Sequence, residues 1–332
     1  MPSLATLPPL ATPHLLASLP SLPPYLPSLV LNSPYKFMLP TAIAVSTCCQ
    51  LCGIGGAALF SPIFLLLFPL LGLSLPSPSA AIASALLTEV FGFSSGLVGF
   101  TARGLVDWRV AGQFLAVTLP TALVGARLAG SLAAFPTLLR VAYAALMLSL
   151  SLFLIFTSPN PERAAEIAAQ CELPLEESTT VRSLVDSQGN AYAYLPPKTG
   201  DAVGTAATAF GGLLTGILGV GAGEVILPQL VKGCCMPLPP AAGTSVAVVV
   251  LTAFTAATVQ FLELAKNTGG GVTGVIPWEL VCYTIPGVLI GGQLAPLVAS
   301  RGLVSDENIE KFAAGLFASV SLAFIVKIAV GG

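Results

Sequence analysis

Residues 52–62 read CGIGGAALFSP, an apolar run broken by three glycines and then resumed. Residues 218–228 read LGVGAGEVILP, and sliding this stretch onto the first at one constant offset places Gly219 on Gly53, Gly221 on Gly55 and Pro228 on Pro62. The same offset carries Pro286, Gly291, Leu294 and Ala295 onto Pro120, Gly125, Leu128 and Ala129. Between them, with small length changes, PAAGTS (240–245) answers SAAIAS (79–84) and IPW (276–278) answers VDW (106–108). A register kept over about seventy residues is an internal duplication.

What surrounds the two stretches decides their solvent. The chain of 332 residues is 55% hydrophobic and only 8% charged, with a mean hydropathy of +0.90, which does not describe a water-facing surface. It belongs in a bilayer. A net charge of -2 and a pI near 5.4 exclude the clustered Lys and Arg that nucleic-acid phosphates require. Seven cysteines lie mostly inside apolar runs, where they act as small hydrophobes, so a disulfide framework is not expected. The single histidine, His14, sits in the N-terminal extension, which excludes a histidine-based metal or proton site; no cofactor is expected.

The organisation follows in four parts. Residues 1–36 hold nine prolines and no acidic residue, too much proline for a spanning helix, and form an extension or targeting segment. Repeat 1 occupies 37–157, with apolar segments at about 37–53, 56–72, 79–100, 109–132 and 136–157. A polar loop, 158–201, carries seven acidic and three basic residues; within it a short helix is expected after Asn160 and a hairpin around Gln188 and Gly189. Repeat 2 occupies 202–332, with segments at about 202–220, 222–235, 239–264, 275–299 and 308–330. The later segments of each half reach the roughly 20 residues needed to cross hydrocarbon. The first two of repeat 2 are shorter and read either as two tilted crossings or as a re-entrant hairpin. Either option gives an odd number of crossings per half, so the fold class expected is an all-α membrane protein of two inverted structural repeats, each of about five apolar segments and each starting with a broken or re-entrant helix.

Orientation follows from the basic residues flanking the spans. Arg103, Arg109, Arg163, Arg182, Lys198, Lys232, Arg301 and Lys311 lie on the side of the polar loop, against Lys36, Arg140, Lys266 and Lys327 on the other. The excess puts the loop in the cytoplasm or its organellar equivalent, in a plasma membrane or an organelle envelope.

Helix breaks at membrane depth survive only within protein or beside a water-filled cavity, because an unpaired amide in hydrocarbon costs several kcal/mol. Two breaks at equivalent positions point to one central site. Amides freed at a helix start favour anions, while close helix packing is the competing role for the glycines. The candidate binding residues are Gly53, Gly55, Gly56, Gly219 and Gly221, with Arg127 and its repeat counterpart Gln293 as side-chain donors and Thr88, Thr244 and Ser245 as neutral donors. Ionisable residues inside spans are functional by default, so Glu89 and Glu224 are the proton-coupling candidates, with a helix-helix contact as the alternative role. For Arg127 the alternative is interfacial snorkelling or a structural ion pair. Cys49 and Cys52 form a C-x-x-C on one helix face, a weak sign of thiol redox chemistry without a βαβ context.

CGIGGAALFSP, ALLTEVFGFSSG (85–96) and GVGAGE (219–224) leading to GTSVAVVV (243–250) resemble the sulfite exporter (TauE/SafE) transporters over roughly residues 37–330. The departures are Ala57 and Ala222, where that family often has glycine, and the proline-rich start. The resemblance implies secondary transport of sulfite or small sulfur-containing organic anions, coupled to protons, with the glycine segments and the hydroxyls of Thr88, Thr244 and Ser245 along the path. The expected partners are thus a small anion and the lipid bilayer, with homo-oligomerisation left open and no enzymatic activity. On this reading Arg127→Ala abolishes anion flux and Glu89→Gln flattens its dependence on a proton gradient. The rivals are a carrier of another small organic anion such as a carboxylate, a membrane thiol redox enzyme, and a channel.

Overall fold

Ten helical segments and one small hairpin make up the described residues, which in this computed structural model are 33–73, 75, 78–132, 136–156, 181–197, 200–268, 277–301 and 306–329. Most of the extension and the helix expected after Asn160 lie outside the described residues.

Helix α1 (Met38–Leu51) runs into the first glycine break, and α2 (Ala57–Leu70) leaves it. The two arms lie side by side. Phe68, near the end of α2, packs against Tyr35 and Phe37 just ahead of α1, with ring centroids 5.6 and 6.1 Å away. Three longer helices follow: α3 (Pro78–Ala102), α4 (Trp108–Leu132) and α5 (Pro136–Phe156). Strands β1 (Arg182–Val185) and β2 (Ala191–Tyr194) pair antiparallel, Arg182 opposite Tyr194, around the Gln188–Gly189 turn expected from the sequence.

The second glycine break joins α6 (Ala202–Leu218) to α7 (Ala222–Pro228). The arms of this second break touch along their length. Gly211 of α6 abuts Gly221 and Val225, and Gly204, near the start of α6, abuts Gln229, so the chain turns back along itself. The two arms form a helical hairpin bent at the glycines, an arrangement shared by both options. The remaining helices are α8 (Leu238–Thr268), α9 (Trp278–Ser300) and α10 (Asp306–Ala329).

Proline shapes both returning arms. Pro62 and Pro228 each lack the amide that an α-turn needs, and in each case the next five residues, Ile63–Leu67 and Gln229–Gly233, relax into a π-turn. The carbonyl that Pro62 leaves without its helical donor is Ala58 O, and Tyr143 Oη of α5 donates to it at 2.8 Å.

Packing between the halves is reciprocal. α1 rests on α9 and α6 on α4, α3 runs along α9 and α8 along α4, while α3 meets α8 and α5 meets α10. Small residues allow the close approach: Gly291 of α9 lies against Ile43 and Ser46, and Gly125 of α4 against Leu213 and Gly216. Two hydroxyl pairs mark the long-helix seams, Thr118 to Thr252 at 2.9 Å and Thr88 to Thr284 at 3.2 Å. Among the described residues four helices, within α3, α4, α8 and α9, are long and apolar enough to span a membrane, and shorter apolar helices accompany them.

The end bearing the β-hairpin, the loop face, is clamped by Asp107. Its carboxylate accepts from Arg109 N at 2.8 Å and Val110 N at 3.1 Å, capping α4, and also accepts from Tyr194 Oη; its own amide donates to Thr244 Oγ1 at 3.0 Å. Burial, and then the bond to Asp107, pushes the Tyr194 phenol up from its ordinary pKa. The hairpin is thereby tied to α4 and α8.

Candidate functional site

The two glycine breaks meet in the interior. Gly53 takes a left-handed turn (φ +59°), and a Cβ there would stand 2.9 Å from both Ala242 Cα and Leu227 Cδ1 on the other half, so glycine is required for conformation and for space. Its carbonyl accepts from Ser245 Oγ at 2.6 Å. On the second hairpin the counterpart Gly219 is also left-handed (φ +79°), and Gly221 (φ +146°) turns the chain again against Gly211 and Leu214.

The amides freed at these turns are taken by two carboxylates. Glu224, in the first turn of α7, accepts from Gly55 N at 3.1 Å through Oε1 and from Gly221 N at 2.9 Å through Oε2, so one side chain stitches the first break to the second. The second bond is half of a capping box. Glu89 of α3 accepts from the amides of Gly56 and Ala57 at the start of α2. Thr215 Oγ1 takes the Ala222 amide at 2.8 Å. A methyl group on Gly55 would lie 2.7 Å from Glu89 Oε1 and 3.1 Å from Glu224 Oε1, so the two carboxylates flank one Cα. Both are 1–2% exposed, and Glu89 Oε2 has no protein hydrogen-bond partner. The other titratable groups facing the pair are Cys49 of α1 and Tyr143 of α5.

Glu224 also borders a cavity of about 550 Å³. Gln113, Thr208, Gln229 and Asp201 give it a polar lining, with Phe114, Val117 and Val225 as apolar walls. Asp201 caps the start of α6, with its carboxylate accepting from Val203 N and Gly204 N, so the cavity runs from the loop face down to the second break.

Of the residues singled out from sequence, the structure gathers Gly53, Gly55, Gly56, Gly221, Glu89, Glu224 and Ser245 around this point. Gly219 is the left-handed cap of α6, set against Leu86 and Ile82 of α3. Thr88 spends its hydroxyl on Ser84 O and Thr284, and Thr244 receives the Asp107 amide at the loop face. Gln293 donates to Ser95 O and Oγ, joining α9 to α3. The expectation that Arg127 contacts the site meets a different placement: it stands on the exposed face of α4, one position after buried Ala126, so its guanidinium points out of the bundle. Cys49 and Cys52 are free and buried.

Tyr143 and Thr215 belong to the site and were not selected from sequence. The signal for Tyr143 was Pro62, which orphans a carbonyl that some donor must satisfy. The signal for Thr215 was weaker, a hydroxyl one turn before a glycine break.

The family model described as Sulfite exporter TauE/SafE matches residues 38–324 of the chain. No curated protein and no solved structure matches it.

Proposed function

Since the chain belongs to the sulfite exporter TauE/SafE family, and so is a multi-pass membrane transporter, we propose that it is a secondary carrier of small sulfur-containing anions, sulfite or organosulfonates, working by alternating access around the paired helix breaks. The observation that carries this reading is that backbone amides from two opposed hairpins converge on carboxylate oxygens in the interior. Amides at helix starts, held in place by the fold, bind any oxyanion of suitable size by the same chemistry. Glu89 and Glu224 are the proton-coupling groups, and the cavity from the loop face to Glu224 is the open half of the path.

Two inverted repeats supply the alternation. The reciprocal pairings of α1 with α9 and α6 with α4, the π-turn after proline in each hairpin, and the matched Thr118–Thr252 and Thr88–Thr284 contacts support that symmetry. Exchanging the conformations of the halves would close the loop-face cavity and open its counterpart from the other side.

A second reading, a carrier of small carboxylates, is favoured by one observation: the groups the break amides now hold are carboxylates. Flux into proteoliposomes under a proton gradient separates the two. Sulfite and isethionate are expected to enter faster than into empty liposomes, and Gly55→Ala, whose methyl would collide with Glu89 and crowd Glu224, to cut the rate at least about tenfold, or about 1.4 kcal/mol in barrier. Flux of acetate or malonate without sulfur oxyanions supports the second reading. No flux of either class sinks both.

A further inference from the structure

We propose that Glu224 is the resting occupant of the anion site, a tethered carboxylate that an incoming oxyanion must displace, so that binding the anion and protonating Glu224 are one event. The inference rests on the anion-carrier reading and adds what that site holds between substrates.

Occupancy is the first ground. The two oxygens of Glu224 each take one amide, from Gly55 of the first hairpin and Gly221 of the second. An external oxyanion reaching the same place would find both donors engaged, so the site opens only when the carboxylate lets go.

The second ground is that the side chain has somewhere to go. Glu224 borders the cavity together with Gln113, Thr208 and Gln229, so a swing away from the amides carries its carboxyl toward polar side chains and the loop face. Among the described residues Thr208 and Gln229 already bond to one another at 3.2 Å, a ready partner for a carboxyl group.

Charge is the third. The titratable groups facing Glu224 are Glu89 on α3, Cys49 on α1 and Tyr143 on α5, and the cavity adds Asp201 and Cys234. Each is acidic or neutral. A bound anion beside two ionised carboxylates would place three negative charges at close quarters in a medium where Coulomb repulsion is poorly screened. Exchanging the Glu224 charge for that of the substrate leaves the local charge unchanged, and the proton that neutralises Glu224 makes the exchange possible.

The consequence is a fixed stoichiometry of one proton taken up per anion bound. Isethionate and methanesulfonate keep one charge over the whole working pH range, so any proton uptake they cause belongs to the protein. Calorimetric titration of the purified full chain, in buffers of differing ionisation enthalpy, is expected to show uptake of about one proton per sulfonate and an apparent Kd that weakens about tenfold per pH unit on the alkaline side. Glu224→Gln, which removes the titrating group, is expected to bind without proton uptake and with a flat pH profile. Where that variant does not fold, the proton count of the unaltered chain decides alone. Sulfonate binding with no proton uptake, or a Glu224→Gln variant that keeps both the uptake and the pH slope, overturns the displacement mechanism and leaves the anion carrier standing. A chain that binds no sulfonate, sulfite or carboxylate at any pH overturns the carrier reading itself.

Discussion

Glu89, Glu224 and Arg127 looked alike as ionisable residues within apolar runs, and only two of them face inward. Membrane depth can be read from position in a span, but the direction of a side chain depends on which helix face meets a neighbour, and α4 carries no strong charge pattern to mark one. Ala126 packs against Gly216, and Arg127, about 100° further round the helix, cannot share that face. Thr244 and Ser245 differ by the same rotation: Ser245 reaches Gly53 O in the site, and Thr244 holds the Asp107 amide at the loop face. Outside the membrane, Asp186 shows how far one side chain can organise a turn. Its carboxylate accepts from Gln188 N, Asn190 N, Asn190 Nδ2 and Tyr192 Oη, at 2.8, 2.8, 2.9 and 3.2 Å. Burial pushes its pKa up, and these bonds outweigh that and hold it below the usual value. A depressed carboxyl stabilises the folded hairpin above its unfolded pKa and loses that contribution as pH falls through the folded one. Amide exchange at β1 and β2 is therefore expected to be slow at neutral pH and to speed up, relative to the intrinsic rate, once acid protonates Asp186. Asp186→Asn should show the faster relative exchange at every pH; unchanged protection in that variant would remove the carboxylate from this role.

At the scale of elements, the glycine breaks and the long helices were legible because both rest on local composition. How the first arms of each half pack was not, because arms of such length can pair with each other or with other helices and contact alone chooses. Gly204 against Gln229, and Phe68 against Tyr35, are contacts that no periodicity encodes. The prolines were visible, but what answers them was not. Pro62 removes the donor to Ala58 O, and Tyr143 of α5 supplies another from across the fold. The pairing makes a quantitative expectation. Tyr143→Phe leaves that carbonyl buried and unpaired, at a cost of about 1–3 kcal/mol. Pro62→Ala returns an amide to the helix, so in that background the same Tyr143→Phe change should cost much less, a coupling measured as non-additive shifts in the unfolding of purified protein. Additive shifts would mean that Tyr143 acts only by packing, as its ring contact with Phe324 of α10 at 4.7 Å does.

At the scale of the whole molecule, the cavity beside the breaks opens toward the loop face. The cavity that reaches Glu224 is bounded by the early turns of α4 and α6 and the end of the second hairpin, all at the loop face. Basic residues gather there too: Arg103 at the end of α3, Arg109 at the start of α4, Arg182 on β1 and Arg301 after α9. By the positive-inside rule the cavity is expected to face the cytoplasm or its organellar equivalent. Gln113 is exposed on α4 and lines this cavity, whereas Val124, three turns further along the same helix, is exposed on the outer surface of the bundle. A membrane-impermeant maleimide should accordingly label Gln113→Cys in vesicles that present the loop face and leave it unlabelled in vesicles of the opposite orientation. Val124→Cys, facing lipid, should resist the reagent in both. Isethionate is expected to slow labelling at position 113, because a solute seated at the breaks pulls Glu224 into the cavity and shifts the population toward the state closed on that side. Labelling of Gln113→Cys from the opposite face alone would place the path on the wrong side of the breaks, whatever anion the protein carries.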